Sequence, residues 1–119
     1  MKTSQDPRHK KRQRLLQELF SADFHDQATS RETGEILQKQ DTIDETIKRA
    51  AINFPVDKIN KVDLAILRLA SYELLFEQKE PPHVIIDEAV ELAKEFANDT
   101  SPAFINGVLA KIITYEKST

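Results

Sequence analysis

Cysteine and tryptophan are absent from the 119-residue chain, and only two glycines occur. Without thiols there is no disulfide framework and no thiolate metal site, which suits the reducing cytoplasm where we place the protein. The β-branched residues do not fall into the alternating runs that half-buried strands require, so helices are the default reading. No stretch approaches the roughly 18 consecutive apolar residues of a membrane span, and no charged start leads into the apolar core of a signal peptide. We therefore expect no membrane contact. Gly-rich phosphate loops, HExxH pairs and EF-hand patterns are missing, and the three histidines, His9, His25 and His83, are scattered. The chain is expected to be no enzyme and to need no cofactor or metal. A grouping of His83 with Asp87 and Glu88 on one helical face is weaker than its plain alternative, in which Asp87, Glu88 and Glu91 form a solvated helix start favoured by the dipole.

What is present is a core and a charge asymmetry. Hydrophobic residues make up 39% and charged residues 31% of the chain, enough for one folded domain under a solvated surface. Residues 1–14 hold Lys2, Arg8, Lys10, Lys11, Arg12 and Arg14 against Asp6 alone, a surplus of five positive charges. With a net charge of −3, the remainder carries −8. A basic start on an acidic body points to a polyanion bound at one end and repelled elsewhere.

The helices can be placed from apolar spacing and caps. Asp6-Pro7 is a good helix start, and Leu15, Leu16, Leu19 and Phe20 carry a first helix over about residues 7–23, after a flexible start over 1–6. Residues 23–34, which include Gly34, read as a loop ending at a Thr29 or Ser30 cap with Glu32 in reach. Ile36, Ile43, Ile47, Ala50 and Phe54 then mark one helix or two, with Thr42 and Glu45 as a possible second capping box. From Val62 to Phe76 the sequence is apolar on most sides, as expected of a central helix surrounded by others. Pro81-Pro82 is expected to end it. A helix over about 83–97 turns Ile86, Ala89, Val90, Ala93 and Phe96 inward. The last helix opens with Ser101 as N-cap and Pro102 as first residue, and buries Phe104, Ile105, Val108, Leu109, Ile112 and Ile113. Gly107 inside that pattern costs about 1 kcal/mol relative to Ala, so either close packing or backbone access for a ligand is expected there.

Three stretches, taken together, resemble the NusB family. They are Val62-Asp-Leu-Ala-Ile-Leu-Arg-Leu-Ala-Ser-Tyr-Glu-Leu74, Pro82-His-Val-Ile-Ile-Asp-Glu-Ala-Val-Glu-Leu-Ala-Lys94 and Ser101-Pro-Ala-Phe-Ile-Asn-Gly-Val-Leu109. With the basic helix start and Leu19-Phe20, the resemblance covers about residues 7–115. It implies an all-α fold, a bundle of about five to seven helices in two small packed subdomains, here about 7–54 and 56–119. It also implies an antitermination factor that binds a single-stranded boxA element of RNA with the small-subunit ribosomal protein known as NusE. Such a factor helps the transcribing RNA polymerase read through terminators, notably in ribosomal RNA operons. Carried over by position, the RNA surface would comprise Arg8, His9, Lys10, Lys11, Arg12 and Phe104, and the partner surface would include Phe20 and Asp63.

Physically, Lys and Arg neutralise phosphates, while unpaired bases stack on rings and guanidinium planes. Phe104 also fits the apolar stripe of its helix, and Arg68 and Glu73 read as structural polar residues of the central helix. Because the basic residues are read as lying outside the apolar stripe of the first helix, changing Arg8, Lys10, Lys11 and Arg12 together to Ala is expected to leave stability intact. The segment from Phe24 to Val56 is shorter than the family's usual one, with a helix trimmed or fused. Pro102-Ala103 stands where a basic residue is common, and Ala110 where Asp is preferred. The rival reading is a NusB-like protein-interaction module without RNA binding. A third, the RNA-binding appendage of an RNA methyltransferase, finds no methyltransferase fold in a chain of this length.

Overall fold

A computed structural model describes residues 6–25 and 30–118 of the chain, in which six α-helices and no strand occur. They are α1 (Pro7–His25), α2 (Arg31–Gln38), α3 (Gln40–Ala50), α4 (Lys61–Tyr72), α5 (Pro82–Phe96) and α6 (Ser101–Ser118). The flexible start expected over 1–6 falls largely outside the described residues. Asp6, which is described, caps α1: its Oδ1 accepts the Arg8 N–H at 2.8 Å and its carbonyl the Lys10 N–H at 3.0 Å.

The helix boundaries differ from the sequence expectations at instructive places. Ser30 caps α2, its Oγ accepting the Thr33 N–H at 3.2 Å, and Gly34 lies within that helix rather than in a loop. The division of the next segment falls at Lys39, where α2 ends and α3 begins, and not at Thr42. The shortened region thus keeps two separate helices.

α4 is the central helix, and every residue from Asp63 to Ser71 is buried. Asn60 caps it by accepting the Val62 N–H at 2.9 Å. The helix then loosens into a π-helical turn over Glu73–Glu77, closed by the Gln78 N–H on the Glu73 carbonyl at 2.8 Å. Gln78 in the left-handed region (φ 53°) stops it, so the stop precedes Pro81-Pro82; Pro82 instead opens α5. At the start of α6 the Ser101 hydroxyl accepts the Asn98 N–H at 3.2 Å, closing the preceding turn rather than capping the helix, and Thr100 supplies the first carbonyl, to Phe104.

One apolar core joins Leu15, Leu16 and Leu19 of α1, Ile36 of α2, Ile43 and Ile47 of α3, Leu64 to Leu67 of α4, Ile85 and Leu92 of α5, and Ile105, Leu109 and Ile112 of α6. Phe54 and Phe96, read from the sequence as inward, stand 51% and 40% exposed. Each falls at or beyond the end of its helix, where the regular phase no longer fixes the side-chain direction. Arg68 of α4 is buried and forks onto Asp44 of α3, with Nε on Oδ1 and Nη2 on Oδ2 both at 2.9 Å, and reaches Asp23 of α1 at 3.2 Å. It is the structural polar residue expected, stitching α1 and α3 to the central helix.

Candidate nucleic-acid and partner surfaces

The amino end of α1 carries the basic run, and its first turn holds no acidic residue. Cations there oppose the helix dipole, so negative charge has to come from other elements. Arg8 is outward, its side chain 70% exposed, and pairs loosely with Asp6 and Glu80. Lys10 is exposed and Lys11 half-buried.

His9 and Arg12 point the other way. Only 5% and 6% exposed, they are buried against carboxylates and are not on the surface expected to meet RNA. His9 lies with Nδ1 3.0 Å from Glu88 Oε1 and Nε2 2.7 Å from Glu95 Oε1. Arg12 donates from Nε to Glu73 at 2.9 Å and from Nη2 to Glu73 at 2.7 Å, binds Glu80 as well, and sets Nη1 3.6 Å from Glu88. The reason is helical phase: 9, 12, 16 and 19 follow one another at spacings of three and four, so His9 and Arg12 extend the stripe of Leu16 and Leu19. That alignment was readable in the sequence. What could not be read was that Glu73, Glu80, Glu88 and Glu95, far along the chain, would meet it. Glu88, expected on a solvated face, is 4% exposed for the same reason.

The electrostatics follow from these contacts. Burial by itself would lower the Arg12 pKa, but Glu73 and Glu80 more than reverse this, so the guanidinium stays charged. Burial pushes the Glu73 carboxyl up, although Arg12 pulls it down. For His9, burial disfavours the cation, yet the hydrogen bonds to Glu88 and Glu95 raise its pKa above the ordinary 6.5. Removing Arg12 would therefore leave several carboxylates facing one another, and the expectation that the four basic residues can be changed together without loss of stability does not survive for Arg12.

Beside α1 lies an open groove of about 850 Å³, walled by α2 and the π-helical turn. Arg8, Lys11, Arg12, Arg31 and Lys79 line it together with Glu32, Glu35, Glu73, Glu77 and Glu80, over Leu15, Ile36, Leu69 and Tyr72. Its cations are matched by its carboxylates, so the groove itself does not attract a polyanion. Outside the groove, on the outward side of the first turns of α1, Lys10 stands exposed.

Phe104 is half-buried on α6, packed on the core, with its ring 5.2 Å from that of Phe54 and tilted at 73°. It forms an edge-to-face aromatic pair apart from the basic turn. Gly107, one turn further, is exposed, and a Cβ there would meet nothing within 4 Å, so close packing is not its reason. Phe20 packs edge-on against Phe24, which is 58% exposed, at 5.1 Å. Asp63 is 8% exposed in the first turn of α4, with Oδ1 buried and without a hydrogen-bond partner. The Lys61–Asp23 ion pair, 3.0 Å long, joins the carboxyl end of α1 to the amino end of α4 and so brings Phe20 and Asp63 to one end of the fold. Phe24, exposed beside Phe20, is a residue the sequence did not single out. His83 is exposed at the start of α5 while Glu88 is turned inward, so the His83–Asp87–Glu88 grouping is not assembled.

The NusB family pattern matches residues 1–114. The transcription antitermination protein NusB of Bacillus licheniformis is 47% identical over 77 residues, 65% of this chain and 60% of that protein. The protein of that name in Clostridium tetani is 51% identical over 77 residues, 65% of this chain and 50% of its own length. The chain spans only about half to three-fifths of the length of these relatives. Among solved structures, T. maritima NusB superposes with a TM-score of 0.78 at 32% identity, covering 94% of this chain and 92% of its own. The fold also recurs, at a TM-score of 0.75 and 21% identity, in a structure of the antitermination factors NusB and NusE in complex with dsRNA, covering 92% of this chain and 98% of that one. With a family pattern that runs over nearly the whole chain and a six-helix fold shared with a solved member, this chain belongs to the NusB family.

Proposed function

We propose that the chain is a cytoplasmic, RNA-binding transcription antitermination factor that works by recognition and not by catalysis. The outward turn of α1 contacts single-stranded RNA of the boxA type. The ribosomal protein NusE of the small subunit docks alongside, and the assembly acts on transcribing RNA polymerase to promote read-through, notably of ribosomal RNA operons. The observation that carries this reading is the division of labour within one helical turn: Arg8 and Lys10 face outward with Lys11 half-buried at the edge of the groove, while His9 and Arg12 hold that turn from inside. His9 and Arg12 thus serve RNA binding by anchoring the helix, and Phe104 offers an aromatic edge for a base. The exposed Phe24, beside Phe20 at the carboxyl end of α1, suits the partner. The names of the relatives support the antitermination role, and the fold shared with a NusB–NusE complex that holds double-stranded RNA supports RNA and NusE as ligands.

The test is a triple change of Arg8, Lys10 and Lys11 to Ala, read as the salt dependence of affinity for a short single-stranded RNA. Each phosphate contact contributes a slope of about −0.7 in log affinity against log salt, so the slope should flatten by about two units. The melting temperature should stay close to that of the parent, because these side chains lie outside the core. Adding the ribosomal protein should sharpen RNA binding by the parent. Unchanged affinity and slope in the triple variant would remove RNA from this surface and leave the protein-interaction module as the reading.

A further inference from the structure

We infer that His9 is a positioning residue for RNA binding: as an imidazolium clasped between Glu88 and Glu95, it docks the first turn of α1 on α5 and links RNA affinity to pH. The inference rests on the RNA-binding role proposed above. Its first support is geometric. Both ring nitrogens sit within hydrogen-bond distance of a carboxylate oxygen, Nδ1 at 3.0 Å and Nε2 at 2.7 Å. A neutral imidazole has a single N–H, so one of the two contacts would set a nitrogen lone pair against a carboxylate oxygen. The imidazolium donates at both.

The second support is the company His9 keeps. It lies between Arg8 and Lys10, so the docking of its backbone fixes where those outward cations stand. On α1 the charged groups near it are Asp6, Arg8, Lys10 and Arg12; on α5 they are Glu88 and Glu95; from the segment between α4 and α5, Glu73 and Glu80 reach it through Arg12. Carboxylates outnumber cations in this set, and Arg12 already serves Glu73, Glu80 and Glu88. Glu95 takes its contacts from His9 and, on its other oxygen, from Gln13 at 3.2 Å. When His9 loses its proton, the charge that holds Glu95 to α1 goes with it.

The sign follows from linkage. With its folded pKa raised above the ordinary 6.5, His9 contributes docking that is fully present below that value and is lost as pH rises through the folded one. RNA phosphates beside the turn favour the proton further, so RNA binding takes up protons and weakens with rising pH.

The experiment compares the parent with His9→Arg and His9→Gln in two arms. Without RNA, the ring nitrogens of His9 are followed by NMR between about pH 5.5 and pH 9.5, and their protonation midpoint should lie above that of a free histidine. With a short single-stranded RNA, parent affinity should fall by about threefold to tenfold between about pH 6 and pH 9. His9→Arg, whose fork can pair both carboxylates at any of these pH values, should bind like the parent at the acid end and stay flat. His9→Gln should keep its helical content, bind more weakly at the acid end and lack the slope. A midpoint at or below the free-histidine value, or equal pH slopes for the parent and His9→Arg, overturns the inference while leaving the RNA reading standing. Absence of RNA binding by the parent at every pH overturns both.

Discussion

Replacing Arg12 with Ala probes how the amino end of α1 is held. In the parent, Arg12 faces Glu73 and Glu88 with side chains only 10% and 6% exposed, and Glu80 at 19%. The truncation leaves these carboxylates without their shared cation. Breaking a buried pair by removing one partner costs about 3–5 kcal/mol. Water reaches Glu80, so the lower end of that range applies. At about 4 °C per kcal/mol for a domain of this size, the melting temperature should drop by about 12 °C. Arg12→Lys should recover part of the loss, because an ammonium satisfies one carboxylate but cannot fork across two. The deficit should also shrink in acid, where the orphaned Glu73 carboxyl, already pushed up by burial, takes up a proton and ceases to repel its neighbours. Differential scanning calorimetry at neutral and acid pH, with Lys10→Ala as an outward control expected to melt like the parent, measures each part. If Arg12→Ala melts within about 2 °C of the parent, the guanidinium is not the counter-ion described and the basic turn is held by something else.

Leu67 of α4 is 0% exposed, and Leu67→Ala should destabilise by about 2–5 kcal/mol in denaturant titration; a loss under about 0.5 kcal/mol would contradict the central position of α4. Gly107→Ala should raise stability by about 0.5–1 kcal/mol, because the added methyl meets open space on a helical backbone; a loss of stability would mean that the glycine serves the fold after all.

The helical architecture was legible because its signals are local. Asp6-Pro7 and Ser30 act as caps where the sequence placed them, and the apolar spacings of α4 and α6 put Leu67, Ile105 and Leu109 inside. Errors arose where local rules compete. Gln78, a residue with no special liking for the left-handed region, stops the π-helical turn before the prolines can, and Lys39 divides α2 from α3 although Thr42 and Glu45 offer a capping box three residues later. The candidate site was half legible. Composition identified the basic turn, but charge alone suggested that all its cations face solvent. The spacing of His9 and Arg12 relative to Leu16 carried the contrary information, and it becomes decisive only once the distant glutamates are in place.

Arg12 lies 61 residues before Glu73, and His9 lies 86 before Glu95. This separation has a meaning in time as well as in space. Translation proceeds at about 5–20 residues per second, so Arg12 is added to the chain roughly 3–12 s before Glu73. During that interval its inward-facing cations have none of the carboxylates that later enclose them, and α1 cannot complete its docking. A newly made chain therefore displays a denser positive charge than the finished protein. The acidic later segments act as an internal sleeve that encloses the charges of His9 and Arg12 and leaves Arg8 and Lys10 facing outward.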